Sequence, residues 1–144
     1  LKGRENIYTH LDTIIKNAKK SVYLVTTAEG LARKGEALKS TLQSLAKKGV
    51  DIRIAAPITK DNVAVAEDLM EVAKIKMVSK IDARFCIVDD NEVIFMVMDD
   101  KNVHPTYDVG IWVNTPYFAS ALSNMFSLAW KDMKDVNPAA LKSQ

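Results

Sequence analysis

Residues 82–96 of the chain read DARFCIVDDNEVIFM. Two apolar runs of strand length flank the polar residues 89–92, whose residue types favour a tight turn. The pattern predicts two antiparallel strands, residues 82–88 and 93–98, joined as a β-hairpin. Part of the sheet is therefore expected to be antiparallel, and the elements on either side of the hairpin decide the rest of the fold.

Upstream of the hairpin, helical and strand patterns alternate. Apolar residues at helical spacing mark amphipathic helices, and the short apolar runs between them are typical of buried strands. The predicted elements are, in order, helix 4–19, strand 21–27, helix 31–48 ended by Gly49, strand 50–56, a helix that is capped by Asp61 or Asn62 and continues to Ala73, and strand 74–78. Such alternation predicts parallel strands in this half of the chain.

Downstream of the hairpin, a strand and a long helix close the chain. The strand is expected at residues 107–113, and Thr115 followed by Pro116 is a helix start signal. The core stripe of this helix is predicted to comprise Phe118, Leu122, Met125, Phe126, Ala129 and Met133. Residues 136–144 are expected to fray. The whole pattern predicts a single α/β domain with a mixed β-sheet flanked by helices on both faces.

The composition fits one globular domain and excludes several classes of protein. The chain has 144 residues and a formal net charge of +2, which is too small to attract nucleic acid or membrane through bulk charge. Its single cysteine, Cys86, excludes a disulfide within the chain and fits a cytoplasmic location. The sequence shows no glycine-rich phosphate loop, metal-ligand cluster or membrane-spanning run, so we expect no metal, cofactor or membrane partner.

Asp82, Arg84 and Asp89 have the spacing of the His-x-Lys-x4-Asp motif of the phospholipase D superfamily, and the segment around them resembles its motif strand and turn. In that superfamily the histidine attacks phosphorus, the lysine binds the phosphate oxygens and the aspartate has a supporting role. The resemblance implies a degenerate active site, because Asp82 replaces the nucleophile while Arg84 keeps a cation. A carboxylate beside an anionic phosphate is repelled, so we expect no enzymatic activity.

Nearly the whole chain resembles this superfamily. The matching segments are ENIYTHLDTIIKNAKKSVYLVT (5–26) for its opening helix and strand, LQSLAKKGVDIRIAAP (42–57) for its second helix and strand, and YDVGIWVNTPYFASALSNMFSLAW (107–130) for its closing strand and helix. Among its branches, the chain most resembles the C-terminal regulatory domain of archaeal TrmB-family transcriptional regulators. Those proteins carry a winged helix-turn-helix before that domain, so the resemblance implies that residues 1–144 are a single regulatory domain from a longer chain.

Four residues are candidates for ligand binding: Asp82, Arg84, Asp89 and His104. Each has an alternative interpretation. Asp82 and Arg84 can form an ion pair that holds the strand or a subunit contact. Asp89 can cap the hairpin turn, and His104, in the loop after the hairpin, can border the degenerate site or have only a structural role.

The resemblance predicts a non-catalytic domain that forms a homodimer and senses an effector, with DNA contacted only through the N-terminal module. Two alternatives stay open. One is a residual phosphodiesterase or nuclease that acts as a dimer, and the other is a structural dimerisation module with no ligand.

Overall fold

The computed structural model describes residues 1–81 and 83–142, so Asp82 lies outside the described residues. The helices are α1 (Arg4–Lys16), α2 (Ala28–Lys47), α3 (Val63–Leu69), α4 (Pro116–Trp130) and α5 (Pro138–Lys142), with a 3-10 helix at Pro105–Tyr107. The strands are β1 (Ser21–Val25), β2 (Asp51–Ala56), β3 (Lys74–Met77), β4 (Arg84–Val88), β5 (Glu92–Met96), β6 (Gly110–Asn114) and β7 (Lys134–Asp135).

The seven strands of the described ranges form one sheet in the order β6-β5-β4-β1-β2-β3-β7. β1, β2 and β3 are parallel, whereas β4, β5 and β6 add antiparallel on the other side of β1. Leu24 of β1 therefore pairs with Ile54 of β2 on one side and with Cys86 of β4 on the other. The predicted mixed sheet is confirmed. β1 lies at its centre: β2 and β3 add on one side of β1, and β4, β5 and β6 then add on the other side.

The two faces of the sheet are covered unequally. α1, α2 and α3 share one apolar core with side chains such as Val22 and Leu24. α4 packs on the opposite face, where Phe126 stacks on Tyr23 with ring centroids 5.0 Å apart. Helices on both faces are confirmed, but within the described residues the second face carries only α4, whereas α1, α2, α3 and the short α5 lie on the first.

Both turns that the sequence predicted most directly are confirmed. Asp89, Asp90 and Asn91 join β4 to β5, and the Asn91 N–H donates to the Val88 carbonyl at 3.0 Å. Asp89 and Asp90 have φ angles of 57° and 54°, the positive values that both central residues of a type I′ turn adopt. Gly49 follows α2 with a φ of 82°, the left-handed conformation that ends many helices. The chain then enters β2 directly at Asp51.

The start of α2 and the end of α3 differ from prediction. α2 begins at Ala28 instead of Leu31, because the Thr27 hydroxyl accepts a hydrogen bond from the Gly30 N–H at 2.9 Å and caps the helix earlier. α3 ends at Leu69, because residues 70–73 form the turn that leads into β3. The third helix is therefore shorter than its apolar spacing indicated.

The last third of the chain also differs. The 3-10 helix takes up Tyr107, so β6 starts only at Gly110. Residues 136–142 do not fray: Val136 is 8% exposed, and β7 and α5 pack against β3 and α3. Within the described ranges, every helix is too short or too polar to cross a lipid bilayer.

The predicted core stripe of α4 is confirmed for three of its six members: Phe126 is buried, and Leu122 and Met133 are partly buried against the same cluster. The buried residues of α4 are Ala119, Ser123, Phe126 and Trp130. Phe118 and Met125, which were predicted to be core residues, are 42% and 66% exposed. α4 has apolar side chains on most of its circumference and no charged residue, so the spacing of apolar residues does not single out one face.

Candidate functional site

A cavity of about 490 Å³ opens at one end of the sheet. Thr27 and Pro57, which follow the carboxyl ends of the parallel strands β1 and β2, lie in its wall. Arg84 at the start of β4 and Met98 just after β5 complete the opposite side. In open α/β sheets, ligands bind outside the carboxyl ends of the strands where the strand order reverses, and β1 is such a position.

The cavity wall carries charges of both signs. Among its described lining residues are three cations, Lys80, Arg84 and Lys101, and two carboxylates, Glu29 and Asp99. Lys101 and Glu29 form an exposed ion pair with 3.6 Å between nitrogen and oxygen. The wall therefore offers charged groups of both signs, which suits a polar ligand.

Arg84 forms part of the cavity wall, but protein groups already hold its guanidinium. The residue is 4% exposed. Its Nη2 donates to Asp108 Oδ1 at 3.1 Å and also to the Met98 carbonyl, and its Nη1 donates to Asp108 Oδ2 at 3.4 Å. This two-pronged contact is the geometry in which arginine binds a carboxylate most strongly. Arg84 thus anchors β4 to the segment before β6.

Asp108 is the centre of this ion network, and the sequence-based argument missed it. Its side chain is 1% exposed and also accepts a hydrogen bond from Arg4 Nε at 3.1 Å. The backbone N–H of Val109 is a further donor, at 3.1 Å. The signal in the sequence was a single acidic residue inside the apolar run that was predicted to be the last long strand, because such a residue needs a cationic partner when it is buried.

A second carboxylate, Asp100, connects the loop after β5 to the start of α2. Its Oδ2 accepts from Thr27 Oγ1 at 2.7 Å and from Arg33 Nη2 at 2.6 Å. Burial alone would raise the pKa of Asp100, but the hydrogen bonds from Arg33 and Thr27 outweigh it and the pKa is lowered. Its other oxygen is buried and has no hydrogen-bond donor among the described residues.

Lys34 is the least expected member of the network. It is 3% exposed, and its Nζ donates to Thr26 Oγ1 at 3.0 Å and lies 5.3 Å from the centre of the Tyr8 ring. Burial, followed by the charges of Arg84 and Arg33, lowers the pKa of this lysine to about 7. The sequence signal was a cation on the apolar stripe of α2, between buried leucines.

Comparison with known proteins identifies the family of this chain. The profile of the family described as transcriptional regulator TrmB, EBD N-terminal subdomain, matches residues 1–137. The chain belongs to this TrmB family. No curated protein matches it in sequence.

Two solved structures share the fold of this TrmB domain. One is TrmBL2, described as an archaeal chromatin protein with a novel mode of DNA binding; it is 17% identical with a TM-score of 0.74, over 94% of this chain and 53% of that chain. The other is NucT from Helicobacter pylori, 14% identical with a TM-score of 0.66, over 92% of each chain. The fold is therefore phospholipase D-like. The TrmB domain spans about half the length of TrmBL2.

Asp89 lies at the far end of β4 from the cavity. Its carboxylate accepts hydrogen bonds from the backbone N–H groups of Lys19, Lys20 and Ser21 at 2.7 to 3.1 Å. The side chain therefore holds the loop between α1 and β1 against the hairpin turn. In this TrmB domain the lysine and aspartate positions of the His-x-Lys-x4-Asp spacing, Arg84 and Asp89, thus serve different parts of the fold.

Asp82 and His104 complete the set of predicted site residues. Asp82 lies outside the described residues, although its neighbours Ile81 and Ala83 both line the cavity. His104 is exposed; its Nδ1 accepts a hydrogen bond from the Thr106 N–H at 3.2 Å and caps the 3-10 helix, and it does not line the cavity. Of the described candidates, only Arg84 contributes to the cavity wall. No cluster of His, Cys, Asp or Glu in the described ranges has the arrangement of a metal site.

Proposed function

We propose that this domain senses a small-molecule effector and dimerises as part of an archaeal TrmB-like transcription regulator, and that it has no catalytic activity. The observation that carries the proposal is the cavity at the carboxyl ends of β1 and β2, whose wall includes Thr27 at the start of α2 and Met98 and Asp99 after β5. An effector there would touch the start of β4 and the loop after β5. Asp100 joins that loop to α2, and Asp108 joins Arg84 of β4 to Arg4 of α1 and to the segment before β6.

The state of Arg84 supports the non-catalytic part of the proposal. A phosphodiesterase needs a cation that is free to bind the phosphate oxygens. Here the guanidinium is already hydrogen-bonded to Asp108 and to the Met98 carbonyl. The nucleophile position is an aspartate in the sequence, and the family is one of transcription regulators.

The effector part is tested by differential scanning fluorimetry with a panel of nucleotides, phosphorylated metabolites and sugars. A ligand at about 100 times its Kd stabilises by about 2.7 kcal/mol, which raises the Tm of a domain this size by roughly 5–10 °C. The variant Ala83→Trp places a large side chain in the cavity wall and should abolish that shift. Ala139→Trp, on the exposed face of α5, is the matched control and should keep it. A panel without any shift would contradict effector sensing.

The outer face of α4 supports dimerisation. Phe118, Ala121, Met125 and Leu128 follow the alternating spacing of a helix-packing stripe, and all four are exposed. A helix that is apolar all round is normally buried on all sides. The opposite stripe of α4 already packs on the sheet, so a second copy of the domain is a suitable cover for the outer one.

Tyr117, which is 91% exposed, extends this stripe at the start of α4. A specific interface buries about 1,000 Å² or more in total, so a dimer contact would have to cover the stripe together with its flanks. Antiparallel packing of two α4 helices would keep charged groups out of the centre, because residues 116–130 include none.

Dimerisation is tested by light scattering coupled to size-exclusion chromatography. The double variant Met125→Lys, Leu128→Lys brings like charges together across the two-fold axis, and we expect its dimer Kd to rise at least about 100-fold. Met70→Lys is the control, since Met70 is 38% exposed just after α3, on the other face of the sheet. A wild-type domain that is monomeric at high concentration, or a double variant that still dimerises, would refute this part.

The proposal assigns DNA contact to an N-terminal winged helix-turn-helix outside residues 1–144, acting in the cytoplasm. The small net charge of +2 supports this division of labour, as does the length of TrmBL2 beyond the matched part. In an electrophoretic mobility assay, the isolated domain should leave DNA unshifted at salt concentrations where the full regulator binds.

A further inference from the structure

A second cavity, of about 530 Å³, lies between α1 and α2 on the side of the sheet away from α4. Its walls are largely apolar and include Tyr8, Leu11, Ala37 and Leu38. The buried residue Lys34 also lines it. The cavity therefore combines a hydrocarbon-compatible wall with one buried amine, and it shares no lining residue with the first cavity.

The described part of the protein satisfies only some of the hydrogen-bonding capacity of the Lys34 amine. An ammonium group has three N–H donors, and the acceptor it has in the described structure is the Thr26 hydroxyl at 3.0 Å. Among residues 1–81 and 83–142, no carboxylate oxygen lies within 4.0 Å of its Nζ. A buried ammonium without a counter-ion is costly, and a small anion in the cavity would relieve that cost.

The surroundings of Lys34 have an excess of positive charge. The described groups of its ion network are the cations Arg4, Arg33, Lys34 and Arg84 and the carboxylates Asp100 and Asp108. Each carboxylate is already bound by arginine. The network therefore favours an added negative charge close to Lys34, while Glu5 and Asp12 elsewhere in the cavity wall oppose more than one such charge.

We propose that this cavity binds a small organic monocarboxylate, with its carboxylate against Lys34 and its alkyl part against Leu11, Ala37 and Leu38. The apolar wall requires a hydrocarbon portion in the ligand. Glu5 and Asp12 also line the cavity, and their carboxylates disfavour a doubly charged ligand such as phosphate. This site is separate from the effector cavity of the proposed function.

Binding at this site depends on pH in a defined direction. The charged or titratable groups that face Lys34 are Tyr8 of α1, Arg33 of α2, Arg84 and Cys86 of β4, and Asp100 of the loop after β5. The wall of the same cavity also carries Arg4, Glu5 and Asp12 of α1. Burial raises the pKa of the Cys86 thiol to about 12, so it stays neutral between pH 6 and 8.5. Lys34, with a pKa of about 7, is mostly charged at pH 6 and mostly neutral at pH 8.5, so affinity for an anion should fall roughly 30-fold across that interval.

Isothermal titration calorimetry with sodium butyrate at constant ionic strength tests the proposal. We expect binding to the wild-type domain at pH 6, roughly 30-fold weaker binding at pH 8.5, and none to Lys34→Met. Lys39→Met, on the same helix but bound to Asp68 and Glu71, should bind as the wild type does. Ala37→Trp fills the cavity without removing the amine and should also abolish binding, which keeps the test valid if Lys34→Met fails to fold.

Three results would overturn the proposal: no butyrate binding at pH 6, unchanged binding in Ala37→Trp, or inorganic phosphate binding as tightly as butyrate. The first two would exclude the site, and the third would exclude the ligand class. None of them bears on the effector cavity, because Ala83→Trp tests that cavity independently.

Discussion

Replacing Asp108 with alanine removes the carboxylate on which Arg4 and Arg84 converge. The Asp108 side chain is 1% exposed, and the Arg84 side chain is 4% exposed. The variant leaves Arg84 buried with only the Met98 carbonyl as an acceptor among the described residues. Arg4 is nearer the surface, with 12% of its side chain exposed, and can turn towards water. The cost therefore falls mainly on Arg84.

Removing one partner of a buried ion pair costs about 3–5 kcal/mol. We expect about 4 kcal/mol for Asp108→Ala, because one of its two cationic partners can be rehydrated. For a domain of this size, that loss lowers the Tm by roughly 10–15 °C. It is also a large part of the ~5–15 kcal/mol that holds a typical domain folded, so partial unfolding at 37 °C is expected.

Urea unfolding followed by circular dichroism measures this loss, with Asp132→Ala as the control. Asp132 is exposed after α4, and its replacement should change the free energy of unfolding by less than about 0.5 kcal/mol. The double variant Arg84→Met, Asp108→Leu replaces the pair by apolar side chains and should recover most of the loss. A cost below about 1 kcal/mol for Asp108→Ala, or a double variant as unstable as the single one, would refute the view that Arg84 is held by a buried pair.

Lys34→Met should flatten the pH dependence of stability. The pKa of Lys34 is about 7 in the folded protein and 10.5 in the unfolded chain. Between these values the unfolded state binds more protons, so the free energy of unfolding of the wild type should rise by roughly 2 kcal/mol from pH 6 to 8.5. Urea titrations at both pH values would contradict this if the variant showed the same rise. Asp89→Ala should lower the free energy of unfolding by about 2–3 kcal/mol, because it removes three hydrogen bonds to backbone N–H groups and places alanine at a φ of 57°. In the same urea assay, Asp89→Asn should lose less than half of that. Gly35→Ala should destabilise by about 1–3 kcal/mol despite the better helix propensity of alanine, because its Cβ would lie 2.1 Å from Val65; an unchanged or raised Tm would contradict this.

Local patterns predicted the sheet well, since each strand and turn depends on its own residues. The polar residues 89–92 between two apolar runs can form little other than a tight turn, and the hairpin followed. The core stripe of α4 could not be predicted in the same way. Its apolar residues cover most of the helix, and which of them face the sheet is decided by the position of the helix over Tyr23 and Val93, which the sequence does not encode locally.

The site was only partly predictable for a related reason. The spacing of the motif singled out Arg84, which the structure places in the cavity wall. Its partner Asp108 lies 24 residues away in the sequence, and Thr26 and Lys34 meet only because α2 folds back over β1. Charged residues in apolar patterns indicate that a buried partner is needed, but not which of several distant residues supplies it.

The position of Arg84 between the two cavities has a consequence for how the domain responds to ligands. Arg84 lines the first cavity, and its charge helps to lower the pKa of Lys34, which lines the second. We expect an anion in the first cavity to have little effect on Lys34, because Asp108 already offsets the charge of Arg84, and by reciprocity a ligand at Lys34 should have little effect on the first cavity. Substituting Arg84 itself is a poor test of either site, because it also leaves Asp108 without its most buried partner. Variants of the cavity walls, Ala83→Trp and Ala37→Trp, separate the two sites while leaving the ion network between them in place.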